Sequence, residues 1–150
     1  MNEHDRHHAE KEVLDNMHWK YSETVIDHAK NPRNMGSLPK SDGFAQSMSA
    51  ECGDTLSMWV SIRNDTVTRT TFWTDGCVPT LACGSVATTL ATGLPVQEVK
   101  NIDKDAILEA LDGLPKAHIH CAEWAAETLH MAIEDYQELA KIRKKRNGLV

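Results

Sequence analysis

Residues 72–85 read FWTDGCVPTLACGS, and this stretch carries the chain from a strand into a helix. Residues 72–74 suit a β-strand, and Pro79 fits the first helical position, where its missing N–H costs nothing. Cys77 is therefore expected beside unpaired backbone N–H groups at the positive end of a helix dipole, which favours thiolate over thiol. Such a thiolate can attack sulfur or bind a soft metal.

The residues before this stretch follow the period of two that indicates strands. Two such runs cover residues 44–48 and 56–62, and residues 66–74 are rich in Thr, Val, Phe and Trp. Asn64-Asp65 is a candidate for the hairpin turn between the second and third strands. We therefore predict three antiparallel strands in a meander, with one face packed and the other freer.

Helical patterns lie on both sides of these strands. A short helix is expected within residues 17–30, another from residue 79 to a cap at Gly93, and a third after an N-cap at Asp103. The last helix carries one apolar stripe, formed by Ile119, Ala122, Ala126, Leu129, Ile133, Tyr136 and Ala140. Together these elements predict an α+β fold, in which about four to five helices pack on the three-stranded sheet and the C-terminal helix is long.

Length and composition are those of one globular domain. The chain has 150 residues, of which 41% are hydrophobic and 25% charged. We expect a polar N-terminal tail over residues 1–17, one domain over 18–140 and a basic C-terminal tail over 141–150. The net charge of −6 argues against bulk nucleic-acid binding. No apolar run approaches about 18 residues and no signal-peptide pattern opens the chain, so we expect no membrane span and a cytoplasmic location.

Four cysteines are present, namely Cys52, Cys77, Cys83 and Cys121. In a cytoplasmic chain they indicate metal or catalytic thiols rather than disulfides. Cys52, Cys77 and Cys121 fall at the ends of predicted elements, where their side chains can point outward and converge. Asp54 and His120 lie beside two of them. Three thiolates with a carboxylate or an imidazole supply the four donors of a tetrahedral zinc or iron–sulfur site.

Five motifs resemble, in order and in approximate spacing, the U-type iron–sulfur cluster scaffold family of the IscU and NifU N-terminal type. They are YSETVIDH at 21–28, NPRNMG at 31–36, CGD at 52–54, GC at 76–77 and HC at 120–121. The resemblance runs from about Tyr21 to Tyr136. It implies a scaffold rather than an enzyme, which accepts sulfur as persulfide from a cysteine desulfurase, assembles a transient cluster, usually [2Fe–2S], and passes it to apo acceptor proteins.

The resemblance also implies the ligands. Cys52, Cys77 and Cys121 match the family's cysteine ligands, and Asp54 or His120 would be the fourth. An oxygen ligand suits the iron of a sulfide cluster less well than a thiolate does. Asp54 would therefore be a weakly bound ligand that makes the cluster easier to release. The persulfide acceptor is left open among the three cysteines. The resemblance also leaves open the number of iron atoms in the cluster and whether the protein forms a homodimer around it. Zinc is a possible occupant of the site when no cluster is present.

Two features depart from the family pattern. Cys83 is additional, lies more than a turn into its helix, and is expected to be a small buried residue. Residues 114–118, LPKAH, stand where bacterial members carry the Leu-Pro-Pro-Val-Lys motif that an Hsp70-type chaperone reads. The resemblance therefore does not imply that this chain depends on such a chaperone. His118 is expected to be a surface histidine.

Three other functions could use the same cysteines. A zinc-dependent sulfur acceptor of the SufU-like branch would activate a desulfurase, but that branch carries an insertion between its second and third cysteines and an arginine at the position of His120. A structural zinc domain usually uses local Cys or His pairs. A cysteine hydrolase could pair Cys77 with His120 but needs an oriented base and an oxyanion site. The sequence favours the iron–sulfur scaffold.

Overall fold

The structure is a computed structural model that describes residues 20–51 and 53–148. The predicted tail at 1–17 and Cys52 lie outside the described residues. Three strands are present in this part of the chain: β1 (Gly43–Met48), β2 (Thr55–Arg63) and β3 (Thr66–Thr74). The α-helices described are α1 (Glu23–Lys30), α2 (Val78–Ala91), α3 (Lys104–Ala110) and α4 (Ile119–Arg146), with 3-10 helices at Val96–Asn101 and Lys116–His118. The predicted α+β class is confirmed.

The sheet is the predicted antiparallel meander, in the order β1-β2-β3. Asn64 and Asp65 form the turn between β2 and β3, with φ values of 53° and 60°. Two consecutive residues with positive φ match a type I′ turn, whose twist suits a hairpin. At the other edge of β3, the Phe72 amide donates to the Asn34 carbonyl at 3.0 Å. The loop after α1 therefore covers the free edge of β3.

Helix α4 packs across β1 and β2, and its contact with β1 decides which face of that strand is buried. A Cβ built on Gly43 would collide with the Ala132 carbonyl oxygen of α4. Ala45 is buried on the same face, whereas Phe44 and Met48 are exposed. The period of two along β1 is confirmed, but its large apolar residues lie on the exposed face. The small residues form the inner face because the helix backbone approaches the strand so closely.

The burial of α4 extends beyond the predicted stripe. Ala122, Ala126, Leu129 and Ile133 are buried as expected, and Trp124, Ala125, Thr128 and Ala132 are buried with them. The wider burial arises because the helix packs on the sheet and also against α2 and α3. It continues to Arg146, so the first part of the predicted basic tail is helical. None of the described helices is long and apolar enough to cross a membrane.

The remaining elements fix the position of α2. Gly84 of α2 lies against the Phe72 ring of β3, and a Cβ at Gly84 would come within 2.5 Å of that ring. Helix α1 also packs against α2. It begins at Glu23, later than the predicted segment, because the Ser22 hydroxyl caps it by accepting from the Val25 amide at 3.1 Å. Asp103 caps α3 in the same way, as predicted.

Candidate metal centre

Cys77 is the N-cap residue of α2. Its backbone is extended, its side chain makes no capping hydrogen bond to the helix, and it is exposed. The sulfur is thus available at the end of the helix where the backbone N–H groups are unpaired. The predicted position of Cys77 is confirmed. Pro79 occupies the second helical position rather than the first, because α2 already begins at Val78.

Cys121 lies in the first turn of α4, as predicted, but its side chain does not point outward. It is only 3% exposed and belongs to the hydrophobic core. The difference arises because the start of α4 packs against α2 instead of projecting beyond it. The half-buried side chain of His120 contacts this sulfur, with Nε2 3.7 Å from Cys121 Sγ.

Thr80 joins the two sulfurs, and sequence reasoning missed it. Its Oγ1 lies 3.7 Å from Cys77 Sγ and 3.7 Å from Cys121 Sγ. Thr80 is at the third helical position after the Cys77 N-cap, from which a side chain can reach back to the cap, as in a capping box. The Cys-x-x-Thr spacing at the start of the helix was the available signal. Cys77, Thr80, Cys121 and His120 therefore form one continuous chain of polar contacts.

The loop that carries Asp54 is held beside Cys77. The Asp75 carboxylate accepts from the Thr55 amide at 2.7 Å, and the Thr74 hydroxyl donates to the Thr55 carbonyl at 2.7 Å. The same Thr74 hydroxyl accepts from the Gly76 amide at 3.0 Å. The connection from β3 to α2 is thus bonded to the residue that follows Asp54. Asp54 is half-buried at this end of the sheet.

Cys52 lies outside the described residues, and its place in the site stays a prediction. The backbone on either side of it is nevertheless described. The Ser49 amide donates to the Asp54 carbonyl at 2.8 Å, and the Gly53 amide donates to the Ser49 carbonyl at 2.9 Å. Gly53 has a φ of 74°, a left-handed conformation that glycine adopts without strain. These bonds hold Gly53 and Asp54 close to Ser49, between the end of β1 and the start of β2.

Tyr21 and His118 border the two thiols. Tyr21 is buried, and its phenol pKa is raised by burial first and then by negative charge at Cys77 and Cys121. The ring of His118 lies 6.2 Å from the ring of Tyr21 and 6.4 Å from that of His120. Burial, followed by the positive charges of Lys20 and His120, lowers the pKa of His118. His118 is therefore half-buried beside the site, rather than the surface residue that we expected.

Cys83 is the small buried residue that the sequence predicts. It has no exposed surface and belongs to the hydrophobic core. Burial raises the pKa of its thiol well above the usual value, and negative charge at Cys121 and Cys77 raises it further. The thiol is the inactive form for attack and for metal binding, so this environment keeps Cys83 unreactive.

The donors brought together are those of a soft-metal site. Two sulfurs and one imidazole nitrogen suit zinc or an iron–sulfur cluster better than a hard cation such as magnesium. Helix N-termini carry both cysteines, and their dipoles favour the negative charge of thiolates and of an anionic cluster. Among residues 20–51 and 53–148, no three His, Cys, Asp or Glu side chains are already arranged to hold a metal ion.

Comparison with known proteins gives a consistent family. Residues 20–143 match the NifU-like N-terminal domain family. The iron–sulfur cluster assembly scaffold protein IscU 1 of Archaeoglobus fulgidus is 39% identical over 116 residues, which cover 77% of this chain and 76% of that protein. The scaffold protein IscU of Haemophilus influenzae is 36% identical over 121 residues, which cover 78% of this chain and 95% of that protein.

Solved structures share the fold. An N-terminal NifU-like protein from Brucella abortus superposes with a TM-score of 0.63 at 18% identity, covering 78% of this chain and 94% of that one. A candidate cluster assembly scaffold of the SUF system from Fervidobacterium islandicum also gives a TM-score of 0.63, at 20% identity, covering 75% of this chain and 96% of that one. At this identity, the likeness extends to the fold alone.

Proposed function

The chain belongs to the NifU-like N-terminal domain family, and we propose that it is a scaffold on which an iron–sulfur cluster is assembled and then passed to acceptor proteins. Relatives that are 36–39% identical over most of their length carry the name of such a scaffold. The observation that carries the proposal is the contact chain from Cys77 through Thr80 to Cys121 and His120. It places soft donors from two helix N-termini at one end of the sheet.

The cluster is the cargo of this site, held on Cys52, Cys77 and Cys121 with Asp54 or His120 as the fourth ligand. Its form is [2Fe–2S], the smaller cluster type that four such ligands can hold. His120 Nε2 already lies beside Cys121 Sγ, whereas Asp54 lies on the loop bonded to the β3–α2 connection. The two candidates therefore come from different parts of the fold, Asp54 from the loop before β2 and His120 from the start of α4. They can serve in turn, one while the cluster is held and the other while it leaves.

The sulfur comes from a cysteine desulfurase. A thiolate of the scaffold attacks the outer sulfur of the desulfurase persulfide, which forms a new persulfide on the scaffold and returns the desulfurase cysteine as a thiolate. Any of Cys52, Cys77 and Cys121 could make this attack. Zinc occupies the same donors when no cluster is bound, because thiolate and imidazole are also its preferred ligands.

Anaerobic reconstitution tests this function. The purified chain is incubated with ferrous iron, cysteine, a cysteine desulfurase and dithiothreitol, the reductant that converts persulfide sulfur to sulfide. Its visible absorption and its iron, sulfide and zinc contents are then measured. We expect a coloured protein with equal iron and sulfide. Colourless protein with tightly held zinc, combined with faster desulfurase turnover, would instead support the zinc-dependent sulfur acceptor. Zinc with neither property would support a structural zinc domain.

A further inference from the structure

The hydroxyl of Thr80 has no role in the ligand set proposed above, yet it contacts both described cysteine ligands. Thr80 is 1% exposed, so its hydroxyl is shielded from water and needs a partner within the protein. Its two contacts are Cys77 Sγ and Cys121 Sγ, each at 3.7 Å from Oγ1. That separation suits a sulfur partner, since sulfur has a larger radius than oxygen.

Other threonines in the same helix behave differently. Thr88 and Thr89 donate to the Ser85 carbonyl at 2.9 and 2.8 Å, and Thr92, the C-cap residue of the helix, donates to the Thr88 carbonyl at 2.8 Å. These are the usual back-bonds of threonine inside a helix. Thr80 lies in the first turn, where few helical carbonyls precede it, and its hydroxyl contacts sulfur instead. The Thr80 hydroxyl differs from those of the other threonines because Thr80 lies beside the two cysteine sulfurs.

The Thr80 side chain is also fixed in place. A Cβ on Gly76 would come within 2.9 Å of Thr80 Cβ and 3.0 Å of its Cγ2. The Gly76 backbone therefore packs directly on the threonine from one side. The buried Cys121 contacts the same side chain through its sulfur, 3.7 Å from Thr80 Oγ1. A side chain confined in this way presents its hydroxyl to the two sulfurs without losing further rotational freedom when a cluster binds.

We propose that Thr80 is a positioning residue of the cluster site, which sets the spacing of Cys77 and Cys121 and donates a hydrogen bond to a ligand sulfur. This inference rests on the proposed scaffold function and deepens it. A hydrogen bond to a ligand thiolate draws electron density away from the metal–sulfur bond and raises the reduction potential of the cluster. In a scaffold, the weaker bond makes the cluster easier to release.

The test compares variants that separate the hydroxyl from the shape of the side chain. Thr80→Val and Thr80→Ala remove the hydroxyl, and Thr80→Ser keeps it. Thr88→Val is the matched control, because Thr88 is a buried threonine of the same helix that bonds to Ser85 and Asn34 rather than to sulfur. The first measurement uses Co²⁺ alone and records the sulfur-to-cobalt charge-transfer band. The second follows cluster transfer to an apo-ferredoxin.

Without the hydrogen bond the sulfur lone pairs rise in energy. We therefore expect the charge-transfer band of Thr80→Val and Thr80→Ala at longer wavelength, and transfer slower by about three- to tenfold, the range that a hydrogen bond of this strength gives. Thr80→Ser and Thr88→Val should match the unmodified protein in both measurements.

The outcomes distinguish a failure of the proposed role of Thr80 from a failure of the proposed scaffold function. If the unmodified protein binds Co²⁺ through thiolates and transfers a cluster, but both hydroxyl-free variants match it, the role of Thr80 is wrong and the scaffold function stands. If the unmodified protein shows neither property, the scaffold function fails and the role of Thr80 fails with it. If Thr88→Val shifted the charge-transfer band and slowed transfer as much as Thr80→Val does, the effect of Thr80 would come from packing in the helix and not from its hydrogen bond to sulfur.

Discussion

The cysteines of this chain differ more in their surroundings than in their spacing. Cys77 is exposed at a helix N-terminus, Cys121 is buried at another, and Cys83 is enclosed by the core. Of these three described cysteines, Cys77 and Cys121 contact the Thr80 hydroxyl and Cys83 does not. Chemical roles at this scale therefore follow from burial and from the nearest polar atom, and residue type alone does not assign them.

A pair of substitutions tests this difference. Cys83→Ala should leave cluster formation and transfer unchanged and lower the free energy of unfolding by about 1 kcal/mol, because a small buried side chain is shortened. Cys121→Ala should abolish a stable cluster. Visible absorption after reconstitution and urea denaturation measure the two effects. If Cys83→Ala lost the cluster while its free energy of unfolding stayed close to that of the unmodified protein, Cys83 would have to be a ligand.

Asp54 is expected to be the labile ligand. Asp54→Ala should slow cluster transfer to apo-ferredoxin, since a site without the weak oxygen donor releases iron less readily. Glu51→Ala is the matched control, because Glu51 is an exposed carboxylate of the same loop. Transfer from Asp54→Ala at the rate of the unmodified protein would show that the carboxylate plays no part in release.

His28 should make stability depend on pH. Its Nδ1 lies 2.7 Å from the buried Ser85 hydroxyl, and burial, followed by the positive charge of Arg33, lowers its pKa below 6.5. The folded state then holds the proton less readily than the unfolded state, so this stability is present above pH 6.5 and is lost as the pH falls through the lowered value.

Urea denaturation at about pH 7.5 and about pH 5.5 measures the dependence on pH. The free energy of unfolding should fall more between these values in the unmodified protein than in His28→Gln, which cannot titrate in this range. His118 acts in the same direction and is present in both proteins, so it cancels from the comparison. An identical fall in both proteins would exclude His28 as the cause.

Individual residues of the site were only partly predictable. Cys77, Cys121 and His120 could be predicted to come together because each falls at a recognisable helix start. The role of Thr80 could not, because a threonine in the first turn of a helix usually caps or packs, and its contact with Cys121 joins residues from two distant helices. The burial of Cys121 was missed for the same reason, since it depends on how α2 and α4 pack.

At the scale of elements, α2 owes its place to its contact with β3. Gly84 is the point of closest approach, where the helix backbone lies on the Phe72 ring. The same helix carries Cys77 and Thr80 at its start. The spacing between this helix and the sheet therefore sets the geometry of the site.

Gly84→Ala tests this contact. The added methyl group would overlap the Phe72 ring, which should lower the free energy of unfolding by about 1–3 kcal/mol and displace the start of α2. Thr89→Ala, at an exposed position of the same helix, is the control and should have a small effect. Urea denaturation and cluster yield measure both variants. A fully stable Gly84→Ala protein would mean that the helix and the sheet are not packed this closely.

Local signals predicted most of the elements but not their faces. The turn at Asn64-Asp65 and the cap at Asp103 depend on neighbouring residues, and both were correct. The buried face of β1 depends on α4, which comes much later in the chain. Its large residues lie on the exposed face because the helix leaves room only for Gly43 and Ala45 on the inner one.

At the scale of the whole molecule, the topology brings distant residues to one end of the sheet. The loop after β1, the connection after β3 and the start of α4 are far apart in sequence. Bonds from Thr55 to Asp75 and from Thr80 to Cys121 join them. The candidate site is thus divided among three connections rather than contained in one local motif, as the proposed transfer of a cluster would need if one connection is to separate from the others.

The proposed function requires that the chain binds a cluster through its cysteines and transfers it intact to an acceptor protein. The most direct measurement is the rate at which a cluster reconstituted on the chain appears on an apo-ferredoxin under anaerobic conditions, with a chelator present to capture released iron. We predict complete transfer that the chelator does not prevent. Failure to form a cluster, or transfer that the chelator abolishes, would contradict the claim, because the chain would then not be passing an intact cluster to its acceptor.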